Sequence, residues 1–274
     1  FGRSLSECEQ DTRDARKRLE DRWPHVEPLA IGEFWAYTPY NFLHRDHITW
    51  HPSAEQKKAA MAKLPYRTQD PFTHQRCDSR HPVVFTYIRR APYYAAFTTG
   101  QLLSPQQCYG LGLLYHDEMG SVLQSQTGSM DAAWGTRVGD TLFEARDMGA
   151  QFGINGDLIT PSAGTHPLPT GDLEITYPLG EDGHKAVRFT PDAIEVSVHL
   201  PGSFTEIIPI LKCTADALQI SADHLALTRG RVTFRLDAIG PMTVVETGDI
   251  SGNRKVLALR LETQDTLTYR LSFR

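Results

Sequence analysis

The densest group of chemically capable side chains in this sequence is His44-Arg45-Asp46-His47, followed by Trp50 and His51. Imidazole and carboxylate are suitable ligands for a divalent metal such as zinc or calcium, and His44, Asp46 and His51 are the candidate ligands. On an extended segment His44 and Asp46 share one face, while His47 and His51 share the other. A four-ligand site therefore requires a bend, and no H-E-x-x-H pair supplies helical spacing. The alternative is a set of partly buried histidines that hydrogen-bond within a loop.

A second kind of chemistry is sugar recognition. Sugars present flat apolar faces ringed by hydroxyls, which suit aromatic rings flanked by Arg, Asp, Asn, Gln and His. Trp35, Tyr40, Trp50 and Trp134 fall in segments with loop or strand-end character and are the candidate substrate contacts. Their other reading is packing between the N-terminal segment and a sheet. Arg89-Arg90 lies close to Tyr93-Tyr94. Arg90 could neutralise a substrate carboxylate through a bidentate pair, with Tyr94, His44 or His47 moving the proton. Solvated arginines at two strand ends are the plainer alternative. A G-x-S-x-G nucleophile elbow is absent, and Gly110-x-Gly112 lacks the rest of a phosphate-binding fingerprint.

The elements that must position these residues are mostly strands. From Val83 to Gly128, four apolar or β-branched runs alternate with turn chemistry: VVFTYIRR, YYAAFTTG, YGLGLLYH and SVLQSQTG. Consecutive antiparallel strands have this texture, and the stretch predicts a meander forming the floor of a large sheet. Ser4-x-x-Glu7 and Ser53-x-x-Gln56 are capping boxes that predict helices over 4–22 and from Ser53 to Leu64. Residues 65–82 read as a long ordered loop. Gly, Pro, Ser and Thr crowd together at 160–171, which marks the softest boundary. Strands then follow without helices between them, including AIEVSVHL, SFTEIIPIL, VTFRLDA, VLALRLET and TLTYRLSFR, with turns expected at Arg229-Gly230 and Gln264-Asp265. In VTFRLDA, Val232, Phe234 and Leu236 face one way and Thr233, Arg235 and Asp237 the other.

The fold class is therefore mainly β: a large, super-sandwich-like antiparallel β-sandwich with a short N-terminal helix and one further short helix. The expected division is a helical lead over 1–24, a sandwich with the aromatic and histidine-rich loop over 25–160, and a C-terminal sandwich portion over 161–274.

The 274 residues suffice for a sizeable core. A net charge of −5, from 28 Lys+Arg against 33 Asp+Glu, leaves no basic field for nucleic acid. No apolar run approaches the length of a membrane span. Cys8, Cys77, Cys108 and Cys213 form no C-x-x-C pair and read as free thiols. The opening Phe1-Gly2-Arg3, without a signal peptide, reads as a trimmed or excised piece.

The order of YNFLHRDHITWHP, IRR, YYAAFTTG and YGLGLLYHDEMGSVLQSQTG ahead of a strand-rich half resembles the C-terminal β-sandwich region of heparinase II/III-like polysaccharide lyases. The resemblance is one of layout over residues 15–274, and His44-Arg45-Asp46 only echoes that family's H-A-D-x-x-S-F-like stretch. It implies a preceding α/α toroid, a periplasmic or extracellular setting, and β-elimination on glycans containing uronic acid. In that chemistry the carboxylate is neutralised, a base removes the C5 proton, and preorganised donors stabilise the enolate-like intermediate. The family draws its base and neutralising groups largely from the toroid, so this piece is expected to be inactive alone or to complete a cleft with an upstream helical domain. The rival expectation is a non-catalytic glycan-binding or structural module.

Overall fold

The computed structural model describes residues 10, 13, 53–64, 70–77, 82–100, 109–125, 130–146, 149–251 and 254–274. The chain divides into two units, Phe1–Leu64 and Pro65–Arg274. In the first, helix α1 (Ala54–Ala62) begins with the expected box: the Gln56 amide donates to Ser53 Oγ at 3.2 Å, and the Ser53 amide donates to Gln56 Oε1 at 2.8 Å. Each bond satisfies a backbone donor that the helix start leaves without an intrahelical partner. Of the helix expected over 4–22, Gln10 and Arg13 are helical and the rest lies outside the described residues.

The second unit is built from antiparallel strands. The expected meander is present as β2 (Val83–Arg90), β3 (Tyr93–Gly100), β4 (Gly110–His116) and β5 (Gly120–Gln124), and it follows β1 (Phe72–Cys77). Next come β6 (Gly135–Val138), β7 (Thr141–Phe143), β8 (Gln151–Ile154), β9 (Asp157–Ile159) and β10 (Gly164–Leu168). β11 (Leu173–Leu179), β12 (Gly183–Phe189), β13 (Ala193–Lys212), β14 (Ala217–Ile220) and β15 (His224–Arg229) continue the chain. It closes with β16 (Val232–Ala238), β17 (Met242–Ser251) and β18 (Arg254–Phe273).

The strand pairings separate into two layers. One runs β10, β1, β2, β3, β4, β5, then the later half of β13, the first half of β18, and β17. The other runs β9, β8, β11, β12, then the first half of β13, the later half of β18, β16, β15 and β14. The layers face each other through their apolar sides. Phe97 of β3 meets Tyr177 of β11 at 6.2 Å and Phe189 of β12 at 5.9 Å between ring centroids. The Tyr93 hydroxyl donates across the layers to the Thr190 carbonyl at 2.7 Å. Alternation produces this core: β12 and β16 bury every second residue, and Val232, Phe234 and Leu236 all point inward as expected. Each such side chain contributes roughly 1.5–3 kcal/mol by leaving water.

Several sequence expectations are corrected. Gln264-Asp265 is not a turn, and AIEVSVHL and SFTEIIPIL are not separate strands. β13 and β18 each run for 20 residues, paired to one another along nearly their whole length. Pro201-Gly202 forms an irregularity in β13, where the register shifts between Leu200 and Ser203, and Asp265 opposite has φ 62°. The Gly202 amide donates to Asp265 Oδ1 at 2.8 Å. A bulge uses the same residue types as a turn but bends the strand without reversing it. This bend carries both strands from one layer into the other. Arg229-Gly230 is a true hairpin corner, with Arg229 opposite Val232 and Gly230 at φ 61°. Within the stretch 160–171, β10 pairs with β1, and the chain divides into its two units at Leu64/Pro65. Within the region expected as a loop, β1 is a strand.

Candidate functional site

The candidate metal ligands His44, Asp46 and His51, the candidate catalytic His47, and the candidate sugar contacts Trp35, Tyr40 and Trp50 lie outside the described residues. Three site candidates are described. Trp134 is buried in the core, not on a rim. Its ring meets Phe97 edge-on at 5.9 Å, and its indole N–H donates to the Tyr269 hydroxyl at 3.0 Å. A sugar cannot stack on a ring with no exposed face, so that expectation is corrected.

Arg90 is also buried, at 3% exposure. Its guanidinium donates to the Phe72 carbonyl at 3.0 Å, the Thr73 hydroxyl at 3.2 Å and the Gly171 carbonyl at 2.6 Å. Those donors hold β1, β2 and the segment leading into β11 together and are not available to neutralise a substrate carboxylate. The alternative of solvated arginines fails for both, since Arg89 is buried as well and pairs with Asp117 at 2.9 Å. Tyr94 is half-buried beside Phe72, and burial pushes its phenol up to about 12. A phenol so shifted holds its proton at neutral pH and is a poor base. Free thiols are observed at Cys77 and Cys213, while Cys8 and Cys108 lie outside the described residues.

The interior holds a polar cluster that the residue types alone would recommend as catalytic. Lys185 of β12 pairs with Glu206 of β13, and both are fully buried. The Thr136 hydroxyl donates to Glu206 Oε2 at 2.7 Å, and the Tyr269 hydroxyl donates to Glu206 Oε1 at 2.8 Å. The Lys185 ammonium also lies over the Trp134 ring. Burial lowers the Lys185 pKa, with Glu206 opposing the shift, and raises the Tyr177 and Tyr269 phenols. Every member faces the packed space between the layers, so the cluster acts as a cross-layer brace and not as a substrate site.

The open site is on the outward face of the second layer. Strand register places Glu174, Arg188, Glu195, Arg270 and Asp237 directly opposite one another across β11, β12, β13, β18 and β16. Beside this row of alternating charge lies a second row, Thr176, Ala186, Ser197 and Thr268, in which the small side chains of Ala186, Ser197 and Thr268 form a floor. The result is a trough of about 610 Å³. It adjoins a second concavity of about 440 Å³ near Asn155 and Asp172, with Glu174 and Arg188 on both walls. Arg188 pairs with Asp172 at 2.6 Å, an ion pair that raises the guanidinium pKa. Four acidic residues (Glu174, Glu195, Asp223 and Asp237) and two basic ones (Arg188 and Arg270) line the larger trough. Polar side chains from several strands thus converge on one cleft of a size usual for small ligands. The signal in the sequence was the polar half of each alternating strand. What it lacked was the register that lines those positions up.

Asp223 reaches the same trough beside Ser221 and His224. Ser221 Oγ lies 2.6 Å from His224 Nδ1, and Asp223 Oδ1 lies 2.9 Å from the same nitrogen. A catalytic relay needs the hydroxyl and the carboxylate on opposite ring nitrogens. This trio is a turn lock at the entry to β15.

No family model and no curated protein matches this sequence. Among solved structures the chain is similar to HI1317, with a TM-score of 0.43 and 10% identity, covering 70% of this chain and 93% of that one. It is also similar to the 4-alpha-glucanotransferase from Thermococcus litoralis, with a TM-score of 0.35 and 10% identity, covering 76% of this chain and 39% of that one. Among the described residues no helix is long and apolar enough to cross a membrane.

Proposed function

We propose that this chain is the β-sandwich part of a carbohydrate-active protein and that it holds a glycan along the outward face of its second layer. The observation that supports this reading is the trough itself: five charged side chains from five strands flank a floor of Ala186, Ser197 and Thr268. Carboxylates accept hydrogen bonds from neighbouring hydroxyls, and guanidinium groups donate to ring and hydroxyl oxygens. A floor of small residues leaves room for a sugar ring between them. The acidic excess of the lining favours neutral sugar units at this place over uronates, because an added carboxylate would meet like charge.

The parent enzyme is proposed to be polysaccharide lyase-like, acting on uronic-acid glycans by β-elimination in a periplasmic or extracellular setting. In that arrangement the trough grips the neutral units of the glycan, and the base and neutralising groups come from outside the described residues.

The test is affinity electrophoresis of the chain against neutral and uronate polysaccharides, with product absorbance at the unsaturated-uronate band followed in parallel. Retardation by a neutral glycan that weakens about tenfold in Glu195→Ala supports the trough, since a charge-assisted contact is worth about 1.5–3 kcal/mol. Wild-type retardation in both Glu195→Ala and Arg188→Ala sinks it. Unsaturated products from the chain alone would contradict the division of labour.

A further inference from the structure

We propose that His184 and His199 form a two-histidine site for a divalent late transition metal ion of the zinc class. The two residues are direct partners across β12 and β13, and both side chains are exposed. Their ring centroids are 5.3 Å apart, with the ring planes inclined at 42°. A zinc ion bound at about 2.0–2.1 Å from a ring nitrogen sits about 3.2 Å from that ring's centroid. Two centroids 5.3 Å apart then subtend roughly 110° at the ion, close to the tetrahedral angle that zinc adopts.

The backbone beneath the pair is held from three sides. Lys185 and Val198, the next residues, point into the core, which forces His184 and His199 outward. Lys185 is tied to Glu206, so the parity of β12 cannot slip. Gly183 lets the strands close up: a Cβ there would stand 2.6 Å from Leu200 Cδ1 and 3.0 Å from the His199 carbonyl oxygen. The flanking partners in the same row are Pro178 and Thr266, which present no competing charge.

Imidazole selects zinc, nickel or copper over calcium and magnesium, which prefer all-oxygen shells. Among the described residues no third histidine, cysteine or carboxylate joins the pair. The ion therefore keeps open positions for water or for an oxygen donor of a ligand. The pair lies two residues along from Ala186 and Ser197, so the ion sits about 7 Å from the trough floor. The proposal stands on the pair's geometry and does not depend on glycan binding.

The experiment is calorimetric titration of the chelator-treated chain with zinc alone, repeated with nickel. Wild type is expected to take up one more zinc ion per chain than His184→Ala, His199→Ala or the double variant. At that site the affinity falls at least tenfold in either single variant. His166→Ala keeps the wild-type stoichiometry. Equal zinc uptake by wild type and the double variant overturns the proposal, as does loss of the ion in His166→Ala alone. Both histidines are exposed, so unchanged circular dichroism of the variants separates lost ligation from lost folding.

Discussion

The ammonium of Lys185 lies 3.5 Å from the centre of the Trp134 ring while the same group pairs with Glu206. A cation buried between two sheets gains from both kinds of partner, since the carboxylate cancels its charge and the ring face attracts it as well. The contact ties β12 to the segment leading into β6. It also explains why the aromatic residue that looked suited to a sugar is inside.

Removing the carboxylate leaves Lys185 buried and uncompensated. Glu206→Ala is expected to destabilise the fold by about 3–5 kcal/mol in urea unfolding. Lys185→Met combined with Glu206→Leu should recover most of that loss, because two apolar groups need no partner. Additive losses in the double variant would contradict the pairing.

Trp134 acts on stability and not on ligand retention. Trp134→Ala should cost about 3–5 kcal/mol through the cavity it leaves. Trp134→Phe should cost less, retain the fold and bind glycan as wild type does. Glycan binding lost in folded Trp134→Phe would place the ring in a site after all.

The bulge at Asp265 has its own signature. Asp265→Ala loses the acceptor for the Gly202 amide and puts a Cβ-bearing residue without a polar side chain at φ 62°. The expected cost is about 1–3 kcal/mol. Asp265→Gly keeps the backbone conformation free of strain and should lose less. A thermal unfolding series separates the two.

The alkaline limb of stability follows from the buried phenols. Tyr94 is raised from 10.0 to about 12, first by burial and then by Tyr87. The folded state therefore holds this proton more tightly than the unfolded chain. The associated stability is complete below about pH 10 and is lost as pH rises towards the folded value. Tyr94→Phe should flatten the decline in unfolding free energy between about pH 10 and 12. Glu144 has the same sign at the acid end, since burial raises its carboxyl pKa against the pull of Arg146. Its contribution is present below the ordinary carboxyl range and is lost as pH rises through the raised value. Glu144→Gln should accordingly stabilise the protein at neutral pH, with the difference vanishing in acid.

The sequence by itself determined the strands of the meander, the Ser53 cap, the hairpin at Gly230 and the inward set Val232, Phe234 and Leu236. Each of these is local: a period of two, a capping side chain, or a glycine where φ is positive. Tertiary structure decided the rest. Pro201-Gly202 and Gln264-Asp265 carry turn chemistry, and only their meeting across β13 and β18 makes them one bulge instead of two reversals. Arg90 and Trp134 carry the right groups for a sugar, and only packing showed those groups already bonded inside. Glu174, Arg188, Glu195, Arg270 and Asp237 are scattered over more than 90 residues of chain, yet register makes them a single row. Side-chain alternation is written residue by residue, whereas register depends on which distant strand lies alongside, and no stretch of sequence contains that information alone.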